Sequence, residues 1–273
     1  MSKKRPHVYG IKSGLYFRLY YETIVKRLNI SFYQGENMTS DNKIARTVGL
    51  LFLISMTASM IYTSFYSSFL FGSLIDVYPN KTQVIIGALL EFINCVAVVG
   101  IATFLFSVLK RQNETIARFY VNFRIIECTI LIVGIISGLL LISLSQEFLK
   151  VGAPDTSYYH AGSILVLNIK HLALQMALII CSLGGLMFTY LLYQSKLIPR
   201  FLSMWGFIGY LFVLASALLD IFDIIDTVHG SGMMMYLPGG IFEVILLPIW
   251  LIVKGFNSTV VDAGSTHSDA MAH

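Results

Sequence analysis

Charge is what this chain has least of. Only 12% of its 273 residues are Asp, Glu, Lys or Arg, against 56% hydrophobic ones, and mean hydropathy is +0.74. A soluble domain carries about 25% charged residues. Half that fraction cannot solvate a water-facing surface, which excludes an ordinary soluble fold. Cysteine is also scarce: Cys95, Cys128 and Cys181 fall inside apolar runs without metal-like spacing, so they read as small packing residues rather than redox or metal ligands. Other signatures are missing altogether. There is no Walker P-loop, HExxH, GxSxG or CxxC, and the glycines lack the strand–helix context of a dinucleotide fold. No cofactor and no nucleic-acid partner are expected. Residues 1–46 contain no compact apolar core of a secretory signal, so the first long apolar run reads as a retained span.

What the chain has in abundance is apolar runs longer than the ~18–20 residues that cross a hydrocarbon core of about 30 Å. Six spans are expected, roughly Thr47–Tyr66, Thr82–Leu109, Thr115–Ser145, Ala161–Leu192, Phe201–Ile221 and Tyr236–Val253. The first could run on to Ile75. The third and fourth exceed one crossing, an excess that tilt or an interfacial first turn would absorb. The fold class is therefore all-α, a polytopic transmembrane bundle whose solvent is the lipid bilayer.

Lysine and arginine orient it. Nine lie in the tail up to Arg46; Lys110, Arg111, Arg118, Lys196, Arg200 and Lys254 share that side, making fifteen against Lys81 and Lys150 on the other. The positive-inside bias puts both termini in the cytoplasm. Tyr78, Tyr158, Tyr159 and Tyr236 mark the outer boundary and Trp250 the inner one. The expected organisation is a basic tail over 1–42, a membrane domain over 43–256 and a short polar tail over 257–273. Within the first tail, Phe17, Tyr21, Ile24 and Leu28 oppose Arg18, Glu22 and Lys26. This is the pattern of a basic amphipathic surface helix. Alternatively translation begins at Met38, and residues 1–37 lie outside the functional protein.

Charged groups at a helix centre cost at least ~2.5–3.5 kcal/mol and are normally paired or functional. Glu91, Arg124, Glu127, Lys170, His171 and Glu243 all fall inside spans. At ~1.5 Å per residue each lies roughly 10–18 Å from the start of its span, near the midplane. Helical phase puts Glu91 with Gly87, Ala88, Asn94 and Ala102, and Glu127 with the Gly134–Gly138 GxxxG pair and Ser145. Small residues on those faces suit close helix approach. Asn168, His171, Gln175, Ser182, Gly185 and Thr189 form a polar stripe on the fourth span. Lys170 sits about 100° off that stripe, facing another neighbour or snorkelling outward. Glu243 lies between Pro238-Gly239-Gly240 and Pro248, and a proline there frees a backbone carbonyl one turn earlier. Arg124 and Glu127 can pair on one helix. Three carboxylates against two fixed cations then leave Glu91 or Glu243 without a full cation, the situation of a proton-linked or cation-binding group.

The expected polar midplane site is thus Glu91, Asn94, Arg124, Glu127, Asn168, His171, Gln175 and Glu243. Three readings stand beside one another: handling of a small solute, ion or proton; a structural or regulatory subunit whose buried charges fix packing or bind another membrane protein; and an intramembrane acid–base enzyme, which lacks an accompanying nucleophile or metal set. Asp220, Asp223, Asp226 and His229 recur at steps of three. Each step turns about −60°, so Asp220 and His229 end on opposite faces. They read as an acidic, solvated helix end. Asp223, Asp226 and His229 are weak metal candidates that His160 and Asp155 could join.

Four ordered runs carry a resemblance: Leu90-Glu91-Phe92-Ile93-Asn94, Arg124-Ile125-Ile126-Glu127, the segment from Ser195-Lys196-Leu197-Ile198-Pro199-Arg200 to Trp205-Gly206, and Glu243 through Trp250 to Phe256. Together they resemble the bacterial membrane family catalogued as domain of unknown function 4386, over about Lys43 to Phe256. The resemblance implies a multi-pass bacterial inner-membrane protein and carries no catalytic assignment.

Overall fold

The computed structural model describes residues 40–70, 74–151, 156–227 and 231–257. The proposed surface helix, the Met38 start, Asp155, His229 and the polar tail beyond residue 257 lie outside them. The described residues are almost wholly helical, without a strand, as lipid demands. With no water to satisfy a free N–H or C=O, each crossing segment must close its own hydrogen bonds.

Six helices are long and apolar enough to span: α1 Ser40–Leu70, α2 Lys81–Leu109, α3 Glu114–Val151, α4 Thr156–Ser195, α5 Arg200–Ile221 and a composite α6, Gly232–Val253. A one-turn helix, Leu74–Val77, precedes α2. Local chemistry sets the ends. Asn113 Oδ1 accepts the Ile116 N–H at 3.0 Å and caps α3. Lys196 takes φ 57 just past α4, and Pro199, whose ring fixes φ, starts α5. The 38 and 40 residues of α3 and α4 run on as regular helix, and Phe148 stacks edge-on against Tyr159 where they end.

The sixth span is not the regular helix expected over Tyr236–Val253. It opens with 3₁₀ turns at Ser231–Tyr236, becomes α-helical at Leu237–Ile241, widens to a π-turn at Phe242–Leu246 and returns to α at Leu247–Val253. Within the π-turn the Leu247 N–H donates five residues back to the Phe242 carbonyl. The cause is local: Pro248 has no N–H to continue an α ladder, and π-turns cluster at functional positions.

The helices form a ring. Each packs on the next in sequence, and α6 closes back on α1 through its second half. Large apolar side chains such as Ile85, Leu89, Phe92 and Val96 face outward, while Val84, Gly87, Ala88, Glu91, Cys95 and Ala102 on the same helix are buried, in the phase expected. We call the end where α1 begins proximal and the other distal. The proximal half is filled by one apolar core that includes Phe52, Ile101, Leu105, Tyr120, Phe188, Tyr210, Phe242 and Leu251. The buried Asp41 holds Arg111 with two hydrogen bonds at 2.7 and 3.1 Å there. The α5–α6 seam brings backbone against backbone. A Cβ on Gly209 would lie 2.7 Å from Gly239 Cα, so only glycine lets these backbones meet.

Candidate functional site

Above the proximal core the ring encloses a cavity of about 1250 Å³, walled by residues from all six helices. Its floor is an ion-pair layer. Arg124 on α3 is 3% exposed. It reaches Glu127 Oε2 on its own helix at 3.0 Å and Glu243 Oε1 on α6 at 2.7 Å. The Arg124 guanidinium also donates to the Tyr210 hydroxyl and the Cys181 sulfur, each at 3.2 Å. Tyr210 in turn donates to Glu243 Oε1. Since α3 and α6 stand opposite one another in the ring, the Arg124–Glu243 pair is a brace across its diameter.

A second pair joins α4 to α2: Lys170 Nζ lies 3.0 Å from Glu91 Oε2 and 3.4 Å from the Gly134 carbonyl oxygen of α3. Lys170 is buried, so of its two expected positions it takes the facing neighbour and does not snorkel. A third link couples α4 to α5. His171 Nε2 is 2.7 Å from Asp220 Oδ1, and Asp220 Oδ2 accepts from the Thr227 N–H at 2.9 Å and hydroxyl at 2.6 Å.

Seven of the eight expected midplane residues therefore line one cavity: Glu91, Asn94, Arg124, Glu127, Asn168, His171 and Glu243. Asn94 accepts from Ser55 on α1, and Asn168 is exposed on the wall. Gln175 stands elsewhere, fully buried, donating to Thr227 Oγ1 at 2.9 Å and accepting from the Tyr236 hydroxyl at 3.3 Å. It ties α4 to the distal chain.

Two expectations need correction. Neither Glu91 nor Glu243 lacks a cation, because one guanidinium serves two carboxylates and Lys170 turns to Glu91. Nor is Asp220 part of a solvated acidic end: it is 5% exposed and inside the network. The end of the helix is why: α5 stops at Ile221, and the chain turns away through Asp223 at φ 56, so the helical steps expected over Asp220–Asp223–Asp226 do not continue past Asp220. Asp220 follows Gly206 and Val213 on the buried face of α5 at steps of seven, whereas Asp223 and Asp226 turn outward to the cavity mouth and are exposed. Those steps of seven were the signal available for Asp220. Tyr210, placed among aromatics and glycines, offered none. Among the described residues no group of three His, Cys, Asp or Glu is poised for a metal; His160 is exposed.

No curated protein and no solved structure matches the chain. A family model does match, over residues 47–255, a range holding every residue that lines the cavity. Its six long apolar helices make it an integral, multi-pass membrane protein, and the chain belongs to the family described as Domain of unknown function (DUF4386).

Proposed function

We propose that this membrane protein handles a small solute, which occupies the cavity above the Arg124–Glu127–Glu243 layer. One observation carries the reading: a space of about 1250 Å³ between the helices whose polar groups converge while its walls are mostly apolar side chains. That is the usual composition of a small-molecule site. Ion pairs that only fixed packing would not need such a space beside them. The cavity runs from the midplane layer towards the distal end, where Ser59, Thr63 and Asp223 line it, and the apolar proximal core stops it.

The cellular setting belongs to the same proposal. Among the described residues, Lys43, Arg46, Lys110, Arg111, Arg118, Lys196, Arg200 and Lys254 on the proximal side, against Lys81 and Lys150 on the distal side, support a cytoplasmic proximal end in a bacterial inner membrane, with the cavity opening away from the cytoplasm. The test is flux in proteoliposomes. Currents or pH changes are recorded over a panel of amino acids, sugars, organic ions and imposed proton gradients, for the native protein and for Glu91→Gln and Glu243→Gln. Fluxes that both variants leave unchanged, or no flux over the whole panel, remove the reading.

A regulatory or structural subunit is the second reading, favoured by one observation: every charged group of the layer has a partner. Buried pairs of this kind can specify a packing arrangement. Stoichiometric co-purification of a second membrane protein, with no solute bound, would select it.

A further inference from the structure

We infer that the solute is a lipophilic organic cation and that the Glu243 carboxylate is its counter-ion. The inference rests on the solute-handling reading above and adds the charge and polarity of what is handled.

Charge is the first consideration. The cavity is lined by six carboxylates, Glu91, Glu127, Glu243, Asp220, Asp223 and Asp226, against the two fixed cations Arg124 and Lys170. The internal pairs absorb only part of that surplus, and Asp223 and Asp226 extend it to the mouth. A cleft lined by one sign of charge, with low-dielectric walls, focuses its field and concentrates counter-ions. An anionic solute would meet the surplus at both the mouth and the floor.

Access comes second. Glu91, Glu127 and Asp220 are each under a tenth exposed and locked to Lys170, Arg124 and His171. Glu243 differs: its side chain is 28% exposed within the cavity wall. Arg124 and Tyr210 both engage Oε1. Among the described residues no hydrogen bond reaches Oε2, the oxygen left to meet a ligand. The π-turn at Phe242–Leu246 holds this carboxylate in place.

Polarity decides between an inorganic ion and an organic one. A bare cation needs several oxygens closing on it at about 2.0–2.6 Å, and among the described residues no group of three His, Cys, Asp or Glu side chains is placed to hold one. The remaining wall is instead apolar and adaptable, with Met56, Met60, Leu131, Leu174 and Met233. Methionines accommodate irregular apolar shapes.

The experiment compares two ions of equal shape and opposite charge, tetraphenylphosphonium and tetraphenylborate. Binding to the full chain in zwitterionic nanodiscs is measured above empty discs. The phosphonium is expected to bind saturably and the borate not at all. Glu243→Gln is expected to weaken phosphonium binding by about tenfold or more, and Asp223→Asn with Asp226→Asn by about threefold. Borate binding as tight as the phosphonium, lost on Leu131→Trp, would leave a solute cavity and overturn its sign. Phosphonium binding indifferent to Glu243→Gln and to the mouth pair overturns the inference, as does the absence of any phosphonium binding. The mouth variants lie on exposed positions outside the packed core, so they keep the test decisive if Glu243→Gln fails to fold.

Discussion

Arg124 and Glu243, 119 positions apart in sequence, lie 2.7 Å apart across the full width of the helix ring. The pair decides where the cavity ends. Proximal to it the ring is solid with apolar side chains; distal to it the helices hold a space between them. Tyr210, donating to the same Glu243 oxygen, links α5 to the brace.

The brace is expected to be energetically cooperative. Interhelical hydrogen bonds in membranes average about 0.6 kcal/mol, with a maximum near 1.7. Removing one partner of a buried ion pair costs about 3–5 kcal/mol. Glu243→Gln keeps an acceptor and leaves Arg124 paired with Glu127, so it should fall between, near ~2 kcal/mol. Tyr210→Phe should cost ~1 kcal/mol. Unfolding of the two single variants and the double in micelles should give a coupling energy of at least ~0.5 kcal/mol. Strict additivity would show that the hydroxyl and the carboxylate act independently.

Lys170 and Glu91 offer a sharper contrast, since each leaves an uncompensated charge if the other is removed. Lys170→Met is expected to destabilise by about 3–5 kcal/mol, and adding Glu91→Leu should recover most of the loss. Thermal unfolding followed by size-exclusion monodispersity reads both. A double variant no better than the single one would show that the ammonium's link to the Gly134 carbonyl oxygen matters more than its link to Glu91.

The α5–α6 seam makes a steric prediction. Gly209→Ala brings a methyl to within 2.7 Å of Gly239 Cα, whereas a Cβ on Gly240 meets nothing within 4 Å. Overpacking costs about 1–3 kcal/mol, while an open helical glycine gains up to about 1 kcal/mol on becoming alanine. Melting temperatures should therefore move in opposite directions for these two neighbouring substitutions. Equal shifts would mean that the seam yields.

Much of this was legible in sequence, for physical reasons that differ by residue. Spans are legible because lipid penalises every unsatisfied backbone group. Glu91, Arg124 and His171 are legible because charge in an apolar run is costly enough to be rare. Phase then places Gly87, Ala88 and Glu91 on one buried face of α2. Partnership was less legible. One guanidinium can serve two carboxylates, so a charge count could not show Glu243 sharing Arg124 with Glu127. Tyr210 carries no formal charge, and Asp220 sits where a helix end mimics a solvated one. The π-turn follows from Pro248, which has no N–H to continue an α ladder, yet a proline in an apolar run marks a break without saying which form it takes.

The last prediction concerns the one-sided cavity. If the space opens only distally, chemical access should stop at the Arg124 layer. In a chain whose three native cysteines, all wholly or partly buried, are replaced by serine or alanine, single cysteines would be placed at Ser59, Asn168 and Asp223 on the cavity wall and at Leu105 and Phe188 in the proximal core. A membrane-impermeant maleimide applied to intact cells should modify the first three and neither of the last two. Leu105 and Phe188 are fully buried in close-packed apolar surroundings, where no water can activate a thiol as thiolate. Applied to inverted vesicles, the same reagent should reach none of the five, because the apolar core closes the proximal end. Labelling of Asn168→Cys from inverted vesicles alone would reverse the orientation inferred from the basic residues. Labelling from both sides would mean that the proximal core opens, and the cavity would then be one state of a continuous path rather than a closed-ended site.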